Sequence, residues 1–116
     1  MSTIPIDTLK KRADFLAMRG CRGVSAPAFL LVWRDREDGD AAARVGFTVT
    51  RKLGGAVRRN RIKRRLRAAA REVFPAHAAP GMDYALIARQ KAYDRRLTDL
   101  LDDMKRALLS TPPNTK

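Results

Sequence analysis

Between residues 56 and 74 the apolar positions Ile62, Leu66, Ala69 and Val73 recur at helical spacing, and Lys and Arg fill most of the intervening positions. At about 100° per residue, those four fall in one narrow sector. Asn60, Lys63, Arg64, Arg67 and Arg71 fall on the far side, Arg59 sits at the border, and Arg58, Arg61 and Arg65 flank the stripe on its other edge. A helix patterned in this way must bury its stripe against other elements of the chain. Its cationic side is left facing outward. The spacing predicts a helix over 56–74, halted by Pro75.

The charge is concentrated in the same region. The chain of 116 residues carries a formal net charge of +13, yet residues 41–71 hold eleven Lys and Arg and no Asp or Glu. The rest is nearly balanced, with 14 cations against 12 acids. Solvation alone is normally achieved with mixed signs, whereas a single-sign field marks a surface for a polyanion. Nucleic acid or an anionic membrane is the expected partner. The longest strongly apolar run, Ala28 to Trp33, is too short to span a bilayer, and residues 1–9 lack the apolar stretch of a secretory signal. A cytoplasmic protein that binds nucleic acid, with no membrane partner, is therefore favoured.

The remaining pattern reads as one domain over 1–109, followed by a Pro-containing, disordered tail over 110–116. Leu9 to Arg19 suits a short helix with Phe15 and Leu16 inward and Gly20 ending it. Val24 to Arg34 is extended, with a break at Pro27 and a strand through Phe29, Leu31 and Trp33. Asp35 to Asp40 forms an acidic turn, and Arg44 to Thr50 alternates as a half-buried strand with Val45, Phe47 and Val49 on one face. Lys52 to Gly55 turns the chain into the long helix. A strand over Met82 to Ala88 and a helix from about Asp94 to Leu109 complete the order, with Leu97, Leu101, Met104 and Leu108 as core. Aromatics are only 6% of the chain, so the core must rely on aliphatic residues. Helices against one sheet give an α+β, two-layer α/β sandwich.

The start of the long helix breaks a local rule. Arg58 and Arg59 lie where the positive end of the helix dipole opposes cations, and no acid relieves them. Uncompensated violations of this kind mark functional sites. Asn60, set between Arg59 and Arg61, adds directed hydrogen bonding to a cationic ridge. Gly54 and Gly55 do not belong to a phosphate loop of the GxxxxGK[ST] type. No catalytic or metal site is expected: Cys21 is the only cysteine, His77 the only histidine, and Asp99, Asp102 and Asp103 read as solvated surface.

The run from Arg51 to Arg67, RKLGGAVRRNRIKRRLR, resembles the RNR signature of the bacterial ribonuclease P protein subunit family. Phe15, the Arg44-Val45-Gly46-Phe47 strand, Asp83-Tyr84 and Ile87-Ala88-Arg89 extend the resemblance over most of the chain. The resemblance implies an αβββαβα order, a ribosomal-protein-like fold and a left-handed βαβ crossover around the long helix. It also implies a non-catalytic subunit of an RNA-based endonuclease. Such a subunit binds the catalytic RNA and the 5′ leader of precursor tRNA, promotes maturation of the tRNA 5′ end, and works with Mg²⁺ held mainly by the RNA. No obligate protein partner is implied.

Carried over by position, Lys52, Arg59, Asn60, Arg61, Lys63, Arg64 and Arg67 are RNA-contacting candidates, joined by Arg58. Phe15 and Phe29 match aromatic positions lining the leader cleft, although Phe29 suits an ordinary core position equally well. The chain departs from the family at Met18-Arg19, where a second aromatic is common, and at Val32, where a Tyr is common. Leader contacts are thus expected to rely less on stacking and more on charge. Three rivals stand beside this reading: a structural RNA binder of ribosomal type, a DNA-binding regulator and an autonomous nuclease. The second is disfavoured because a strand, not a helix, runs into the basic helix.

Overall fold

A computed structural model describes residues 6–9, 23–35 and 42–110 of the chain. Its strands are β1 (Ile6–Thr8), β2 (Gly23–Ser25), β3 (Phe29–Asp35), β4 (Ala43–Thr48) and β5 (Met82–Ala88), and its helices are α1 (Ala56–His77) and α2 (Leu97–Leu109). The strands form one mixed sheet in the order β1-β4-β5-β3-β2. β4 runs parallel to both β1 and β5, while β3 is antiparallel to β5 and β2. Because β4 and β5 are parallel neighbours, α1 between them is a crossover lying on one face of the sheet.

β1 is an addition to the four strands expected. Ile6, Asp7 and Thr8 pair with Ala43, Arg44 and Val45, and the Leu9 N–H continues the ladder to the Val45 carbonyl at 2.8 Å. Three residues are too few to show an alternation, so only the partner strand defines this one. Leu9, expected to begin a helix, is instead buried at the end of this ladder. The rest of the expected first helix, with Phe15, lies outside the described residues, as do Cys21, most of the acidic turn and residues 111–116.

The two faces of the sheet differ. Phe29, Leu31, Val45, Tyr84 and Leu86 join Ile62, Leu66, Val73 and Phe74 of α1 and Leu100, Met104 and Leu108 of α2 in the main core. Ile62 and Leu66 are fully buried, each contributing about 1.5–3 kcal/mol by removal from water. The expected stripe is the buried one. On the opposite face Leu9, Val32 and Ala85 form a smaller cluster with Leu30 and Ile87. β5 is central and almost wholly buried, so its one carboxylate, Asp83, needs partners. Arg34 and Arg44, its register neighbours on either side, supply them.

α1 runs past Pro75 to His77 rather than stopping before it. Proline removes one N–H and crowds the preceding turn, and the cost is bearable in a last turn anchored from both sides. Phe74 is fully buried and meets Tyr84 edge-on at 5.2 Å, and the Ala78 N–H closes on the Phe74 carbonyl at 2.8 Å. α2 begins at Leu97, after a 3-10 turn over Gln90–Tyr93. Leu97, expected in the core, is 51% exposed at the first position of α2, and Leu100 is buried in its stead. Asp103, expected to be solvated, is held by a two-pronged contact with Arg95. That carboxylate pushes the Arg95 guanidinium above its usual pKa, chiefly by hydrogen bonding.

Candidate nucleic-acid interface

The interface is built on α1, whose buried stripe fixes which way its cations point. Asn60, Arg64, Arg67 and Arg71 are exposed and Lys63 is half-buried, all turned from the core. Among the described residues none of them forms an ion pair with a carboxylate. Arg67 passes 6.0 Å from the Phe47 ring of β4. The described surface thus presents a row of cations whose charge no carboxylate among the described residues neutralises.

The start of α1 is equally open. Gly55 occupies the N-cap without a side-chain cap, and the first turn holds no acid, so its leading N–H groups add to the positive field. Gly54 precedes it at φ 127°, a left-handed conformation in which a Cβ would come 2.5 Å from Arg58 Cδ. Only glycine fits there without displacement. Arg59 Nε donates to the Gly54 carbonyl at 3.1 Å, which ties the turn to the helix. Lys52 is exposed in the 3-10 turn over Arg51–Leu53 just before it.

The structure divides the eight candidate side chains. Lys52, Arg59, Asn60, Lys63, Arg64 and Arg67 line the open side and its N-terminal end. Arg58 and Arg61 face the segment after β5: Arg58 Nη2 donates to Gln90 Oε1 at 2.9 Å and Arg61 Nε to the Tyr93 carbonyl at 3.1 Å. Arg65 joins them, donating through Nε to the Ala92 carbonyl at 2.9 Å and through Nη2 to that of Arg95. Sequence reasoning placed these three on the flank of the stripe but missed what they touch. Tyr93 is more than 25 positions from each of them, and no periodicity links it to them.

Phe29 requires a correction. Its side chain is fully buried in the main core, on the helix-bearing face of the sheet, so no base can stack on it in this fold. One step of the two-residue strand alternation decides which face a side chain takes, and Phe29 shares the face of Leu31. Phe15 lies outside the described residues. No helix among the described residues is long and apolar enough to cross a membrane.

A two-layer domain whose crossover helix holds out a cationic face is the fold and site of a nucleic-acid-binding protein. Comparison with known proteins specifies which kind. The ribonuclease P family model matches residues 6–111. The ribonuclease P protein component of Caulobacter vibrioides is 50% identical over 108 residues, spanning 93% of this chain and 72% of that one. The RNase P protein of Staphylococcus aureus superposes with a TM-score of 0.73 at 30% identity, covering 88% of this chain and 92% of that one. That of Thermotoga maritima gives 0.77 at 25% identity, covering 91% and 98%. The chain belongs to the ribonuclease P protein family, and so is a subunit of an endoribonuclease partnered with ribonuclease P RNA.

Proposed function

We propose that α1 docks the protein on the ribonuclease P RNA and that the assembled particle hydrolyses precursor tRNA to free its mature 5′ end in the cytoplasm. The observation that carries this reading is the row Asn60, Lys63, Arg64, Arg67 and Arg71, turned from the core and unpaired with any carboxylate among the described residues. Each cation that replaces a condensed counterion on a phosphate releases it to bulk, so binding gains entropy and becomes strongly salt-dependent. Asn60 adds directed donors and an acceptor that fix register rather than affinity.

The protein's contribution to catalysis is electrostatic. It lowers phosphate repulsion where two RNAs meet, which raises affinity for substrate and for the Mg²⁺ that the RNA mainly holds. Among the described residues no group of three or more His, Cys, Asp and Glu is placed to hold a metal ion. We assign no chemical step to a protein side chain and read the subunit as non-catalytic, the role that the family resemblance implies. Contact with the 5′ leader is assigned to the region of Phe15, with charge outweighing stacking.

The test is reconstitution. Added to a bacterial ribonuclease P RNA at low Mg²⁺, the protein should restore correct 5′ cleavage of precursor tRNA. Restoration should fail with a variant stripped of Lys63, Arg64 and Arg67. Equal rescue by that variant would remove the reading, and cleavage by the protein without any RNA subunit would favour an autonomous nuclease.

A further inference from the structure

We propose that Tyr93 is a positioning residue for RNA binding, its ring presetting the guanidinium groups of Arg58 and Arg61 along the flank of α1 without reducing their charge. Arg58 Cζ lies 4.0 Å from the ring centroid and Arg61 Cζ lies 5.0 Å from it. Two arginines one turn apart thus share a single aromatic platform. The inference rests on the reading that α1 carries the RNA face, and it extends that face around the helix to a second element.

The chemistry of the acceptors argues for this role. Arg58, Arg61 and Arg65 meet the segment after β5 through an amide oxygen, backbone carbonyls and a π face, and none of these contacts is with a carboxylate. A carboxylate would hold a guanidinium at least as firmly but would cancel its charge. Neutral acceptors and a ring quadrupole fix the group and leave the charge intact. The contrast is local: two residues beyond Tyr93, Arg95 is matched to the carboxylate of Asp103. Arg58 commits Nη2 and Arg61 commits Nε, so each keeps further N–H donors for a phosphate.

Order in the free protein is what this arrangement supplies. A long cationic side chain that must be immobilised on binding loses rotamer freedom, and one already held loses less. The platform is itself braced, because Gln90, which accepts from Arg58, donates through Nε2 to the Lys52 carbonyl at 3.4 Å. The segment after β5 and the turn before α1 are thereby linked across the N-terminal end of the helix.

Titration of the full chain against a bacterial ribonuclease P RNA over a salt series tests the inference. Tyr93→Leu should weaken binding about three- to tenfold while leaving the salt slope unchanged, because every cation is still present. Tyr93→Phe should bind like the wild type. On a background carrying Arg58→Ala and Arg61→Ala, Tyr93→Leu should have no further effect. Wild-type affinity for Tyr93→Leu, or an equal loss on that background, would overturn the inference provided that Arg64→Ala weakens binding. If Arg64→Ala also binds normally, the α1 reading fails first and takes the inference with it. Should Tyr93→Leu unfold the domain, Gln90→Ala removes an exposed brace and replaces it in the test. Weakened binding at constant slope supports the inference, and unchanged binding overturns it.

Discussion

Asp83 accepts both prongs of the Arg44 guanidinium, Nε to Oδ1 at 2.7 Å and Nη2 to Oδ2 at 2.8 Å, directly across the β4–β5 ladder where the two are register partners. Arg34, its register partner on the other side, adds a contact to Oδ2 at 3.1 Å. One buried carboxylate thus links three adjacent strands. Stripping the acid from a buried charge group strands its cations, at about 3–5 kcal/mol. Here the two guanidinium side chains are 33% and 27% exposed, so Asp83→Ala should fall at or below the lower end. Urea unfolding should show a lower midpoint, and a loss under about 1 kcal/mol would place this group among ordinary surface pairs.

The open side of α1 should be separable from folding. Arg64→Ala and Arg67→Ala remove exposed cations that avoid the stripe, so the urea midpoint should stay in place. Each should reduce the slope of log affinity against log salt by about 0.7–0.9 if its phosphate contact is lost. An unchanged slope in the double variant would put the RNA elsewhere.

The paired glycines before α1 should respond to different degrees and for different reasons. Gly54→Ala forces a left-handed φ of 127° on a residue with a Cβ and drives that atom to 2.5 Å from Arg58 Cδ. A cost of about 1–3 kcal/mol is expected, with weaker RNA binding as Arg58 is displaced. Gly55 has φ −75° and nothing within 4 Å of a Cβ, so Gly55→Ala brings no clash or backbone strain and should cost only the poorer N-cap, about 0.5–1 kcal/mol. Thermal denaturation of the two variants makes the comparison directly.

Tyr84 should make the fold sensitive to alkali. Burial pushes its phenol above the ordinary value of 10.0, only partly offset by the hydrogen bond donated by the Ala79 N–H. The unfolded chain therefore loses this proton first as pH rises. The corresponding stability is complete below pH 10.0 and declines from there toward the higher folded value. Tyr84→Phe should flatten that decline in urea unfolding above pH 10.0. A decline of equal steepness would assign it to other groups.

Much of the candidate site was legible in one dimension. The phase of Ile62, Leu66, Ala69 and Val73 identified the buried side of α1, and the outward set followed as its complement. The Met82–Ala88 strand was likewise read to the residue. Both succeed because a repeat within one element reports a single direction toward the core. Where the signal is not a repeat, the reading strays. Phe29 matched an aromatic position of the family but lies on the helix-bearing face, and Leu97 keeps the spacing of α2 but is exposed at its first position.

The amino-acid sequence alone determined that a cationic helix would bury one edge and offer the other, because periodicity and charge are local properties of consecutive residues. Only the tertiary structure decided that Ile6–Thr8 would become a strand, that Asp83 would link Arg34 to Arg44, and that Arg58 and Arg61 would share the ring of Tyr93. Those outcomes depend on which segments the fold brings side by side. Hydrogen bonds, ion pairs and ring contacts act over a few ångströms and leave no periodic trace along a chain whose partners are 30 or more residues apart.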